Sequence, residues 1–179
     1  MCKGTQAAED MLPTLSLIAI LIMMLGELWL SRSNERWMFT HGASAPPDPV
    51  YRTMRWAYPA TFIAMALEGL VMNRAVATAA LAGAVLLVAA KALKFWAIAS
   101  LGPRWTYRVL VLPGAPLVDG GPYRFVRHPN YVAVVGELVA MALLSGAWLT
   151  GPLSLIGFGL LLVRRIGAEE RALGLRARA

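Results

Sequence analysis

Charge is scarce in this chain. Asp, Glu, Lys and Arg together make up 15% of the 179 residues, where an ordinary soluble domain carries about a quarter. Cysteine is scarcer: Cys2 stands alone, which excludes an intrachain disulfide and a cysteine metal cluster. No internal repeat and no low-complexity segment is present, and no Gly-x-Gly-x-x-Gly run opens a helix after a candidate strand, so the dinucleotide-binding fingerprint is missing. The formal charge of +7 comes from dispersed basic residues with no nucleic-acid motif beside them. Nucleic acid is therefore not an expected partner, and nothing in the sequence implies a protein partner.

What the chain has in abundance is apolar residues, 58% of the total, gathered into long runs. Leu12 to Leu30 contains one charge, Glu27. Met54 to Met72 contains Arg55 and Glu68. Ala75 to Ala90 contains none, and its pattern continues past Lys91 and Lys94 to Leu101. Pro129 to Gly146 contains only Glu137, and Ala147 to Val163 contains none. A bilayer-crossing helix needs about 20 mainly apolar residues, and soluble bundles need polar stripes that these runs mostly lack. The expectation is an all-α, polytopic integral membrane bundle of about five transmembrane helices. It forms one membrane domain over residues 1–179, with spans near 12–30, 54–72, 75–101, 129–146 and 147–163 and a charged helical extension over 164–179. The first span lacks a small-residue cleavage site and reads as retained.

Orientation follows from the basic residues. With five spans, Lys3 and Arg74 fall on one side and the remaining fifteen Lys and Arg on the other. The positive-inside rule puts the fifteen in the cytosol, with the N-terminus outside, in a bacterial inner membrane. The net positive charge then reads as topology plus attraction to anionic membrane lipids. Trp29, Trp37, Trp56, Trp96, Trp105 and Trp148 lie near span ends, which suits interfacial anchoring.

Two polar stretches interrupt the spans. Ser31 to Thr53 contains Pro-Pro-Asp-Pro at 46–49, which favours an extended or turn conformation. Gly102 to His128 is longer than a mere connector needs to be. Its Trp105 to Leu112 segment is a candidate short strand, followed by turn signals at Pro113-Gly114 and Asp119-Gly120-Gly121-Pro122. Pro59 is expected to kink or break the second span.

The chemistry concentrates in Gly121-Pro122-Tyr123-Arg124-Phe125-Val126-Arg127-His128-Pro129-Asn130-Tyr131. Pro129 suits the first position of a helix, where its absent N–H is not missed. His128 then sits at the helix mouth, where free amides and the positive helix end attract an anionic group. Glu169 and Glu170 fall on the same side of the membrane and suit a cationic or hydroxyl-bearing group. A ligand with both needs is a zwitterion. Arg165 and Glu169, four apart, share a helix face, by default as a surface ion pair of little energetic consequence.

Gly-Pro-Tyr-Arg-x-x-Arg-His-Pro-x-Tyr, followed after two hydrophobic spans by Arg-x-x-x-Glu-Glu, resembles the isoprenylcysteine carboxyl methyltransferase family. That family is related to the phospholipid N-methyltransferases, and this chain is similar to a short bacterial form of it. The resemblance covers about Lys91 to Leu173. It implies an S-adenosylmethionine-dependent membrane methyltransferase with a cytosolic cofactor pocket. Tyr123, His128, Pro129, Asn130, Tyr131 and Glu169 would line that pocket, with Leu117 and Val118 contributing largely backbone contacts. Arg165 would face the reacting end of a lipophilic or lipid acceptor. No metal is implied. The short chain and Glu137 depart from the eukaryotic pattern and leave the acceptor open.

Glu137 lies two turns into its span, and a charge at that depth is functional by default. One role is catalytic, as a proton acceptor at the acceptor site. Another is an ion pair with Lys91 or Lys94, which are also placed to reach Glu27. Glu68 is expected to pair with Arg74 or to snorkel to the outer surface. The favoured activity is O-methylation of a prenylcysteine-like carboxylate or a long-chain phenol or pyrone hydroxyl. The alternatives are phospholipid amine N-methylation and a membrane reductase using a nicotinamide cofactor.

Overall fold

The computed structural model describes residues 3–72 and 75–175, with side chains of the first helix from Met11 onward. Five α-helices follow one another: α1 Lys3–Thr40, α2 Tyr51–Met72, α3 Ala77–Leu101, α4 Pro129–Ser145 and α5 Thr150–Ala172. Single 3₁₀ turns at Gly102–Arg104 and Gly121–Arg124 shape the long connection between α3 and α4. No strand occurs among the described residues. The segment after Trp105 forms instead one antiparallel bridge, Ser44 with Val111, through two 2.9 Å backbone hydrogen bonds.

The molecule carries its apolar side chains on the outside as well as within. Ile18, Ile22, Leu25 and Trp29 on α1, Leu81, Val85 and Val88 on α3, and Leu153, Ile156, Leu160 and Val163 on α5 are all exposed. Each set recurs at three- or four-residue spacing, so each is one helix face. Continuous apolar faces of this extent belong against lipid. The segments Met11–Thr40, Ala77–Arg104 and Thr150–Ala172 are long and apolar enough to cross a membrane. α4 is apolar but shorter, at 17 residues, and the apolar run of α2 is interrupted by Arg55 and Glu68. The protein is an all-α integral membrane bundle. Five of its tryptophans are exposed, but Trp105 is buried at 3%. It therefore packs inward, its ring against Tyr107 and its indole N–H toward Asn130, rather than anchoring at the interface.

Ile20, Phe62, Met65, Leu138, Met141 and Phe158 form the centre of the core. α3 and α4 run against each other through small residues: a Cβ on Gly83 would stand 2.8 Å from the Ala140 carbonyl oxygen, so only glycine permits this approach. Gly146 turns the chain from α4 to α5 at φ +66°, with its amide bonded to the Ala142 carbonyl.

Several boundaries differ from the sequence expectation. α1 continues through the polar residues after Leu30 to Thr40, and α2 runs unbroken through Pro59, because neighbouring helices and local adjustment support a proline within a membrane helix. α5 begins at Thr150 rather than near 147, and it continues past Val163 to Ala172 as the expected helical extension. The expected partner of Glu68, Arg74, lies outside the described residues. Glu68 accepts hydrogen bonds from the amides of Leu149 (2.9 Å) and Thr150 (2.6 Å) and from the Thr150 hydroxyl (2.6 Å). A carboxylate from α2 thus caps the amides that open α5.

Candidate active site

Pro129 does begin α4, with His128 at the N-cap. The His128 ring stacks on Tyr131, centroids 5.5 Å apart. Its Nε2 lies 3.2 Å from Glu170 Oε1, and its Nδ1 lies 4.0 Å from Glu169 Oε2. The Tyr131 hydroxyl donates to Glu169 Oε2 at 2.5 Å. Tyr123, on the second 3₁₀ turn, has its hydroxyl pKa raised by burial and then by the Glu169 carboxylate. The fold thus brings the start of α4 and the end of α5 together into one polar cluster, although about 40 residues separate them in sequence. Leu117 is exposed and Val118 half-buried, on a loop held by Arg104 Nη1, which donates to the Pro116 carbonyl at 2.7 Å.

Beside this cluster lies a cavity of about 450 Å³. Leu21, Met24 and Leu25 of α1, Trp56, Tyr58 and Pro59 of α2, and Phe158 and Leu162 of α5 make its mainly apolar walls. Leu25 and Trp56 are 65% and 70% exposed, so the mouth opens between α1 and α2 on the lipid-facing side. Tyr107, Asn130, Tyr131 and Arg165 supply its polar end. Asn130 is oriented by Trp105, whose Nε1 donates to its Oδ1 at 3.4 Å.

Arg165 is 5% exposed, lies over the Tyr51 ring at 5.7 Å and has three polar partners. Nε donates to the Tyr131 hydroxyl at 3.4 Å, Nη2 to the Tyr107 carbonyl, and Nη1 pairs with Asp48. The surface pair with Glu169 expected from the helical spacing is thereby replaced by a buried pair with the α1–α2 loop. The contact of Asp48 with Arg165 was invisible in sequence. Its one signal is an acid locked among prolines at 46, 47 and 49. Tyr107 was equally hidden. Its amide donates to Ser31 Oγ at 2.8 Å and its hydroxyl to Glu27 Oε2 at 3.1 Å. Burial, then the Glu27 carboxylate, pushes that hydroxyl well above the ordinary tyrosine range.

Glu137 belongs to a closed set of four charges. Lys91 Nζ lies 2.9 Å from Glu27 and 3.2 Å from Glu137; Lys94 Nζ lies 3.2 Å from Glu27 and 2.7 Å from Glu137. Tyr58 adds a 2.6 Å hydrogen bond to Glu137 Oε2. Either lysine could have taken one acid; each takes both, because four buried charges must neutralise one another where water is excluded. Lys94 and Tyr58 face the cavity, with the fully buried Glu137 behind them. Among the described residues no group of three His, Cys, Asp or Glu side chains is placed to hold a metal ion.

The model of the Isoprenylcysteine carboxyl methyltransferase (ICMT) family matches residues 83–174, a segment that spans α3 from Gly83, α4, α5 and both polar motifs. The chain belongs to this family. Among its relatives is the Uncharacterized protein YpbQ of Bacillus subtilis (strain 168), 35% identical over 158 residues that make up 88% of this chain and 94% of the relative. An uncharacterized protein of Haemophilus influenzae is 27% identical over 155 residues, 86% of this chain and 90% of its own. No solved structure matches significantly. Membership in the ICMT family makes this a membrane methyltransferase, of a family that uses S-adenosylmethionine. Asp48, Tyr58 and all of α1 and α2 stand outside the matched segment.

Proposed function

We propose that this ICMT-family protein binds S-adenosylmethionine in the cluster of Tyr123, His128, Pro129, Asn130, Tyr131 and Glu169, and O-methylates a lipophilic acceptor lodged in the adjoining cavity. The acceptor is of the prenylcysteine-like carboxylate or long-chain phenol or pyrone hydroxyl type. The observation that carries this reading is Tyr131. Its hydroxyl lies 2.5 Å from Glu169 and 3.4 Å from Arg165 Nε, so one side chain is the wall between a polar cluster and an apolar, lipid-facing cavity. A methyl transferase needs two such compartments in contact: one for a zwitterionic, water-soluble donor and one for a greasy acceptor.

The donor set suits the cofactor. Two carboxylates, Glu169 and Glu170, match an ammonium or ribose hydroxyls, the mouth of α4 favours a carboxylate, and the stacked His128 and Tyr131 rings offer an aromatic face. When bound, S-adenosylmethionine supplies an electrophilic methyl whose bond to sulfur breaks, leaving the electron pair on sulfur, as the acceptor oxygen forms its O–CH₃ bond. The protein's work is alignment and exclusion of water. Tyr131 and the N–H groups of Arg165 left free by its partners orient the acceptor oxygen. Leu117 and Val118 stand beside the cluster as candidate backbone contacts. Glu137 serves the quartet that stiffens the cavity wall. The fifteen basic residues support, by the positive-inside rule, a site and a C-terminus on the cytosolic face of a bacterial inner membrane.

The test is incubation of the purified protein with radiolabelled S-adenosylmethionine and a membrane lipid extract, followed by identification of the labelled lipid. A labelled ether or ester is the expected product. A labelled amine, or heat protection by a nicotinamide cofactor in place of S-adenosylmethionine, overturns the reading.

A further inference from the structure

We propose that Asp48 sets the charge state of the acceptor: by neutralising Arg165 it selects a head group that enters the cavity uncharged, a hydroxyl, over a carboxylate. The proposal deepens the O-methylation reading and rests on the cavity being the acceptor site. It draws on a residue outside the segment matched by the family model.

Three observations carry it. The first is the state of the guanidinium. The Arg165 and Asp48 side chains are 6% and 10% exposed, so their charges face each other with little water between them. Each of the three Arg165 nitrogens already has a partner in Asp48, Tyr107 or Tyr131. A guanidinium has five N–H bonds, so one remains on Nη1 and one on Nη2. They can still orient an oxygen, but the net charge behind them is cancelled.

The second observation is that Asp48 is fixed. Its Oδ1 accepts the Tyr51 amide at 3.2 Å, prolines at 46, 47 and 49 stiffen its loop, and the Ser44–Val111 bridge ties that loop to the α3–α4 connection. An incoming carboxylate cannot simply push it aside. It would have to lose its own hydration and share the guanidinium with a second, immobile carboxylate. A hydroxyl meets neither penalty.

The third observation concerns the other cations of the cavity. Lys94 is matched by Glu27 and Glu137. Arg55 is exposed at the outer edge of the cavity, over the Trp56 ring, and so lies away from the buried end that holds Arg165. The inner cavity therefore offers polar contacts without net positive charge. As the hydroxyl oxygen forms its bond to the methyl and the methyl–sulfur bond breaks, the hydroxyl proton is relayed by the Tyr131 hydroxyl to the Glu169 carboxylate 2.5 Å from it, and the positive charge formerly on sulfur leaves with that proton.

The experiment measures calorimetric affinity of the full-length protein for two probes, dodecanoate and dodecylphenol, at about pH 8, where the first is ionised and the second neutral. Neither measurement needs cofactor or turnover, so it reports on Asp48 even if the lipid-extract assay yields an amine product. The wild type should bind dodecylphenol at least about tenfold more tightly, and Asp48→Asn should tighten dodecanoate by at least about tenfold while moving dodecylphenol by less than about threefold. Asp48→Glu should keep the wild-type preference. Adding Arg165→Ala to Asp48→Asn should erase the gain. The proposal is overturned by equal changes for both probes, by a gain that survives Arg165→Ala, or by a wild type that prefers dodecanoate or binds neither probe. If Asp48→Asn does not fold, the wild-type ratio of dodecanoate to dodecanol, two probes of equal chain length, decides the matter: dodecanol should bind at least about tenfold more tightly, and an equal or reversed ratio overturns the proposal.

Discussion

Tyr131 donates its hydroxyl to Glu169 at 2.5 Å, joining the first turn of α4 to the last turns of α5. S-adenosylmethionine or its demethylated product should raise the melting temperature of the protein by mass action. His128→Ala and Glu169→Ala should each remove most of that rise and leave the ligand-free protein folded. A thermal-shift series checks this, and a full shift in both variants would relocate the cofactor.

Arg165 stands on the cavity side of the same phenol. Arg165→Ala should cut turnover by at least about tenfold, equivalent to about 1.4 kcal/mol of transition-state stabilisation, with a much smaller change in cofactor affinity. Arg165→Lys should recover part of the rate, since an ammonium cannot reproduce the planar fork that reaches Tyr107, Asp48 and Tyr131 together. Turnover measured beside calorimetric cofactor affinity separates the two effects; normal turnover in Arg165→Ala would end the assigned role.

Removing one member of the buried quartet leaves a charge without its counterpart. Lys94→Ala should destabilise the fold by about 3–5 kcal/mol, and Lys94→Met combined with Glu137→Gln should recover much of the loss, as read by unfolding in detergent. Glu137→Gln should keep turnover per folded molecule within about threefold, whereas a proton-accepting role would forfeit about a hundredfold or more.

Alkaline pH should weaken the fold through Tyr107. Burial and the Glu27 carboxylate raise its pKa in the folded state, so the unfolded chain loses the proton first. The contribution is complete below about pH 10, where an unfolded tyrosine titrates, and declines above it. Melting temperatures from about pH 9 to 11 should fall more gently in Tyr107→Phe than in the wild type.

Topology is open to a direct check. A reporter fused after Ala179 should be active as a cytosolic marker, as the distribution of Lys and Arg demands. Activity of a periplasm-specific reporter there would invert the placement of the site.

The helices were legible because apolar runs and Pro129 are local signals, and the pairing of Lys91 and Lys94 with Glu27 and Glu137 followed from the expense of isolated charge in lipid. What stayed hidden depends on tertiary contact. Asp48 reads as a turn residue until α2 and α5 set it against Arg165. Tyr107 reads as part of a strand, yet its amide is taken by Ser31 and its carbonyl by Arg165, so no ladder forms. The capping of α5 by Glu68 stayed hidden because a sequence does not display the bare amides of a helix that begins 82 residues later.

The mouth between Leu25 and Trp56 faces the side of the bundle. An acceptor that enters there is drawn from two dimensions, and the quantity that saturates the enzyme is its mole fraction among the surrounding lipids rather than its molarity. Adding inert lipid at constant total acceptor should therefore slow the reaction by surface dilution, and the methylated product re-enters the same leaf of lipid that supplied its precursor.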